Sequence, residues 1–163
     1  MQPIDIISMR FFSLATHYGR IAPNKSQIML PLALMAALYW LSSLPGMPLP
    51  DDSVLFSIFY WMSPSMQNIL HIPAYAILAW SWHWALAAWV RTLRMQSIFA
   101  GVISSLYGVG DEWHQSFVPG RFVSLADVLL DFTGAALGIW CAVRVYRHLA
   151  GGPEVARATN QRR

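Results

Sequence analysis

Charge is scarce in this chain. Asp, Glu, Lys and Arg make up 12% of its 163 residues, against a hydrophobic share of 56%. Soluble domains carry about 25% charged residues, so the composition argues against an ordinary water-soluble core and points to a membrane. Cysteine is nearly missing as well. The single Cys141 excludes an internal disulfide, a thiol-based metal finger and a paired-thiol redox motif; its apolar surroundings give it a packing role. Clustered positive charge is also lacking. The net charge is +3, but the basic residues sit between and beyond apolar segments rather than on one face, so no nucleic-acid partner is expected. There is no HExxH, no GxSxG, no long internal repeat and no low-complexity tract.

What is present is apolar sequence in long runs. Four stand out: residues 28–44, about 69–90, 95–110 with a continuation into "DEWHQSF", and 122–143. Each approaches or reaches the roughly 20 residues that cross a bilayer as a helix. The expected fold is therefore all-α, a polytopic bundle of four transmembrane helices. An aromatic outer loop, "LFSIFYWM", is expected to rest in the interface. Residues 1–27 are expected to form a cytoplasmic N-terminal segment, 28–147 the membrane domain, and 148–163 a flexible cytoplasmic tail. Within the first of these, residues 3–14 carry Ile and Phe suited to the inner surface, the alternative being a plain disordered tail. The first run starts late and lacks a small-residue cleavage pattern, so a retained span is expected rather than a signal peptide.

The basic residues give the direction. Arg10, Arg20 and Lys25 precede the first run; Arg91 and Arg94 separate the second from the third; Arg144, Arg147, Arg157, Arg162 and Arg163 follow the fourth. Only Arg121 lies between the third and fourth, so ten of the eleven fall on one side if both termini are cytoplasmic. The expected location is the bacterial cytoplasmic (inner) membrane, multi-pass, with both termini inside.

Polar residues interrupt three runs at comparable depth. Counting about 1.5 Å per residue from the flanking arginines puts His71 near the outer edge, Asp111 just inside it and Asp131 about 10 Å below it, with Asp127 one turn shallower. They also share faces. Asp127, Asp131, Gly134 and Gly138 fall in one sector of the fourth helix; Ser104, Gly108, Asp111 and Gln115 in one sector of the third, with Glu112 on its flank; His71, Tyr75, Leu78 and Trp82 in one sector of the second. Gly108, Gly134 and Gly138 are expected to serve close helix packing, the last two as a GxxxG pair. A carboxylate at the depth of Asp131 costs on the order of 2.5–3.5 kcal/mol and calls for a partner, a proton or water. Arg121, His71 and His114 are the cations within reach. The bland alternatives are that Asp111 and Glu112 end a helix among the headgroups, and that Asp127 favours a helix N-terminus.

These residues resemble the VanZ-like family of small membrane proteins. "DEWHQSFVPGR" is similar to the family's DExxQxFxPGR segment, followed by Asp127 and the spaced glycines Gly134 and Gly138; "HIPAYAIL" is similar to its His-x-x-x-Tyr-x-x-Leu stretch. The likeness covers roughly residues 30–145. Two positions depart from the pattern: Asn68 stands where the family commonly has Lys, and Asp131 where it often has Asn. Both make the site more acidic, unless Asp131 is protonated and donates as an amide would. The resemblance implies a role at the cell envelope, and its named member is linked to resistance against the glycopeptide teicoplanin. It supplies no reaction.

Three functions follow as expectations. The first is an outer-leaflet pocket for a lipid headgroup or lipid-linked envelope precursor. Arg121 would contact a phosphate or carboxylate, positioned by Asp111, Glu112, Gln115 and Asp127, with Asp131 and Tyr75 also lining the site. The second is an intramembrane hydrolase or transferase, with His71 as general base and Glu112 or Asp127 as its orienting partner or acid. No cofactor is expected, although His71, Glu112 and Asp127 form an oxygen-rich set suited to a divalent ion. The third is a subunit of a proton-coupled transporter, for which four spans would need an oligomer.

Overall fold

The computed structural model describes residues 24–46, 64–121 and 124–150. The inner-surface segment at residues 3–14, the aromatic loop and residues 151–163 of the tail expected over 148–163 lie outside these, while residues 148–150 continue the last helix. The described residues are helical and contain no strand. A 3-10 turn, Lys25–Ile28, leads into α1, Met29–Ser42; then come α2, Pro64–Leu86; α3, Leu93–Gln115; and α4, Leu125–Ala150. Asn24 starts the series by accepting the Ser26 amide on its side chain, at 3.2 Å.

Each helix begins and ends for local reasons. Proline fits the first helical position, where its missing N–H is not needed, and α2 begins at Pro64. Ser124 caps α4: its carbonyl accepts the amides of Asp127 and Val128, and its hydroxyl accepts that of Ala126 at 3.1 Å. Between α3 and α4 the chain turns through Gly120, whose φ of 76° lies in the left-handed region that glycine tolerates best. This turn also lies against the end of α1. The Gly46 amide donates to the Pro119 carbonyl at 3.0 Å, and a Cβ on Gly46 would collide with the backbone of Gly120.

Glycines set how the helices meet. A Cβ on Gly134 would run into the Ile72 carbonyl, and one on Gly138 into the Ala76 carbonyl. Both pairs advance by four residues in the same direction, so α4 and α2 run parallel and their backbones touch. This is the close approach expected of the GxxxG pair. Against α3 the order reverses: Gly108 faces Asp131, and Gly101 faces Ile139. Helix α3 is therefore antiparallel to both. Tyr75, Leu78, Trp82 and Ala100 form the apolar core, flanked by Leu34, Met35 and Leu38 of α1. Tyr107 adds a tie across to α1, its hydroxyl donating to the Met35 carbonyl at 2.6 Å.

The distribution of polarity is inverted. Asp111, Glu112, Gln115, Asp127 and Asp131 are buried, while Leu106 is 67% exposed, Trp113 69%, Leu125 76% and Trp140 58%. One described helix, over Leu125–His148, is by itself long and apolar enough to cross a membrane.

His71 lies deeper than the helical rise from Arg91 implies, because α2 ends at Leu86 and the chain is not helical from Val90 to Thr92. From Leu86 the rise to His71 is about 22 Å. That places His71 level with Asp131 rather than well above it.

A test of the packing follows. Gly138→Val forces α4 away from Ala76 and is expected to cost about 3 kcal/mol. Gly110→Ala, whose added methyl meets open space, should be neutral or stabilising by about 0.5–1 kcal/mol. Thermal unfolding in detergent reads both, and equal stability of the two variants contradicts the backbone contact.

Candidate functional site

The polar sectors of three helices meet at one end of the bundle. Parallel packing of α2 and α4 over Gly134 sets His71 beside Asp131, and the His71 Nδ1 lies 2.8 Å from the Asp131 Oδ1. Asp131 is fully buried, whereas the His71 side chain is 17% exposed. Gly108 makes room for this carboxylate: a Cβ there would lie 2.7 Å from the Asp131 Oδ2. The departure to Asp at this position thus gives His71 a carboxyl partner, and the glycine opposite provides the space.

Tyr75, one turn along α2, stacks parallel to His71 with ring centroids 6.1 Å apart and an interplanar angle of 3°. Its hydroxyl points to the Asp111 Oδ2 at 3.5 Å, which also accepts from the Gln115 Nε2 at 3.2 Å. Asp111 and Gln115 are one helical turn apart on α3, so their pairing follows from the spacing. Glu112, on the flank, accepts the Ser124 amide on its Oε2 at 3.1 Å and so ties the end of α3 to the start of α4. Asp127 lies within electrostatic reach of His71, Glu112 and Asp131. Of the expected site residues, the structure therefore brings together His71, Tyr75, Asp111, Glu112, Gln115, Asp127 and Asp131.

Arg121 is arranged differently from the expectation. Its Nε donates to the Leu44 carbonyl at 3.2 Å and its Nη2 to the Leu41 carbonyl at 3.4 Å. Among the described residues it makes no ion pair with an acid. The cause is local. The last carbonyls of a helix lack intrahelical donors and carry the negative end of its dipole, and the contact between Gly46 and the Pro119–Gly120 turn delivers Arg121 to the end of α1. His114 is also drawn there, its Nε2 3.0 Å from the Ser43 Oγ and its ring 4.4 Å from that of Tyr39. Both side chains thus serve α1, leaving His71 as the basic side chain beside the acids.

The hydrogen-bond partner of His71 is Asp131, with Glu112 and Asp127, expected in that place, in electrostatic reach. Sequence reasoning also passed over Ser124. The signal was there: Ser124 and Asp127 have the S-x-x-D spacing of a helix start. Tyr39 and Ser43 carried no such signal, because their role depends on where α3 ends. Among the described residues, no three His, Cys, Asp or Glu side chains converge closely enough to hold a metal ion.

A family model described as VanZ/LLP1 matches residues 6–147. The chain belongs to this family. No curated protein and no solved structure matches it.

Two outcomes are expected. His71→Ala leaves the Asp131 carboxylate without its partner and should cost about 3 kcal/mol. Asp131→Asn keeps the shape and should cost less, and the double variant should be more stable than the two single losses added together. Strict additivity in a double-mutant cycle refutes the coupling of His71 to Asp131. Arg121→Ala should loosen the end of α1 and raise hydrogen exchange at Leu41–Gly46, leaving α2 and α4 protected. Unchanged exchange there speaks against the cap.

Proposed function

We propose that this protein crosses the bacterial cytoplasmic membrane four times, with both termini inside, and binds the polar head of a membrane lipid or lipid-linked envelope precursor in its acidic layer near the outer leaflet. One observation carries this reading: the polarity is inside out. Leu106, Trp113, Leu125 and Trp140 face outward while four carboxylates lie within the bundle. Water would penalise such a surface, and lipid would not. Ionisable groups buried between membrane helices mark ligand or ion sites far more often than they serve packing.

The distribution of arginine supports the direction. With both termini inside, ten of the eleven Lys and Arg residues fall on the side opposite the acidic layer. At that inner side Arg144 sits over the Trp140 ring, 5.3 Å from its centroid, a pairing suited to the interface. The reading does not depend on the glycopeptide phenotype that the family resemblance implies.

A second reading draws on the His71–Asp131 contact. A carboxylate bound to Nδ1 fixes the ring and aims the opposite nitrogen, Nε2, away from it, as in a general base. The alternative function is then an intramembrane hydrolase or transferase on a lipid-linked substrate.

The topology is testable because Cys141 is the only cysteine. In a Cys141→Ala background, Ser53→Cys should label from outside intact cells and Thr92→Cys only after permeabilisation. Labelling of both from one side ends the four-span reading. For binding, the protein extracted from native membrane should carry an envelope lipid that Asp111→Asn combined with Asp127→Asn releases. Equal lipid content in both samples counts against the acidic layer as the site. The enzymatic reading requires His71→Gln to abolish turnover while lipid retention persists.

A further inference from the structure

The hydrogen bonds of the acidic layer leave a remainder. Asp111 and Asp127 are each 7% exposed, Glu112 2% and Asp131 0%. Each nevertheless keeps one buried oxygen without a partner: Oδ1 of Asp111, Oε1 of Glu112, Oδ1 of Asp127 and Oδ2 of Asp131. An ionised carboxylate only accepts hydrogen bonds, and buried acceptors are rarely left empty. Four unmatched oxygens in one layer call for donors from outside the described residues.

Asp127 makes the case independently of the cluster. It is the third residue of α4, behind the Ser124 cap. In the usual reciprocal arrangement the acid at this position reaches back to the amide of the capping residue. Here Glu112 of α3 occupies that amide at 3.1 Å. Asp127 is displaced from its local role, yet it stays buried, in electrostatic reach of His71, Glu112 and Asp131. Helix capping thus leaves this side chain unexplained.

The missing donor has a definable chemistry. A positive donor suits the layer, since His71 is the one basic side chain beside its acids and Arg121 is held by the carbonyls of Leu41 and Leu44. It carries several N–H or O–H groups pointing in different directions. A small divalent metal is a poor match, because it demands oxygens converging at about 2.0–2.1 Å and no three ligating side chains converge among the described residues. A primary ammonium fits better: it offers three donors on one charge and reaches separate oxygens at about 2.7–2.9 Å.

We propose that the layer formed by Asp111, Glu112, Asp127 and Asp131 receives a primary ammonium group, carried by an aminophospholipid headgroup or by an amino sugar. The assignment rests on the headgroup reading above and names the part of the head that is recognised. A trimethylated ammonium, which has the charge but no N–H, should be refused.

The test uses the full-length protein in nanodiscs whose lipid is phosphatidylethanolamine, phosphatidylcholine or phosphatidylglycerol, read by thermal unfolding and by lipid retention in native mass spectrometry. Phosphatidylethanolamine should be retained over phosphatidylcholine by about tenfold, the loss expected for a charge-assisted hydrogen bond, and Asp127→Asn should abolish the preference. Asp111→Asn serves as a second variant if Asp127→Asn does not fold. If the source is soluble, ethanolamine or glucosamine should raise the unfolding temperature saturably in discs without phosphatidylethanolamine, choline should not, and the same variants should remove the effect. A preference for phosphatidylethanolamine that persists in both variants is a bulk bilayer effect and overturns the proposal. Retention of phosphatidylglycerol alone, with no response to either amine, overturns the ammonium assignment but leaves headgroup binding standing. No response to any lipid or amine removes both.

Discussion

The close approach of α4 to α2 is the constraint on which the rest depends. With no Cβ at Gly134 or Gly138, the backbone of α4 rests on the carbonyls of Ile72 and Ala76. Only at this separation does the Asp131 side chain reach His71 at 2.8 Å. The Asp131 carboxyl in turn occupies the space that Gly108 leaves on α3, so the third helix is registered against the other two through a buried polar contact. Packing and electrostatics are one arrangement here. A wider helix pair would strand a carboxylate in the interior, at a cost of several kcal/mol.

The capping of α4 is likewise an inter-helix matter. A helix start usually satisfies its own amides. Here α3 lends Glu112 to the Ser124 amide, and α4 supplies in return a carboxylate free of capping duty. The same economy appears at the other end of the turn, where Arg121 and His114 leave the acids and satisfy groups at the end of α1. Two basic side chains are thereby drawn out of the layer, and the acids are left concentrated in it.

Much of this was legible in the sequence. A period near four placed Ser104, Gly108, Asp111 and Gln115 on one face, and all four are buried. The same spacing put Asp127, Asp131 and the glycines of α4 on its inner side. Helical geometry is local, so residue spacing reveals it. The partners were harder to read. Whether Arg121 turns to an acid or to a carbonyl depends on where α1 ends and how Gly46 meets the loop, contacts made across about 75 residues. The level of His71 was misjudged because α2 stops at Leu86, short of the arginine used as a marker. The VanZ/LLP1 match is consistent with the motifs from which the resemblance was drawn.

The tethering of α1 has a consequence for biogenesis. Its far end is held by Ser43 to His114, by Leu41 and Leu44 to Arg121, and by Gly46 to Pro119. Every one of these anchors is translated some 70 residues after the helix itself. During synthesis α1 must therefore wait, with the end near Leu44 unfastened, until the ribosome has delivered the turn before α4. Fastening of the first helix at that end is thus a late step of assembly, and the order of emergence from the ribosome differs from the order in which its contacts are made.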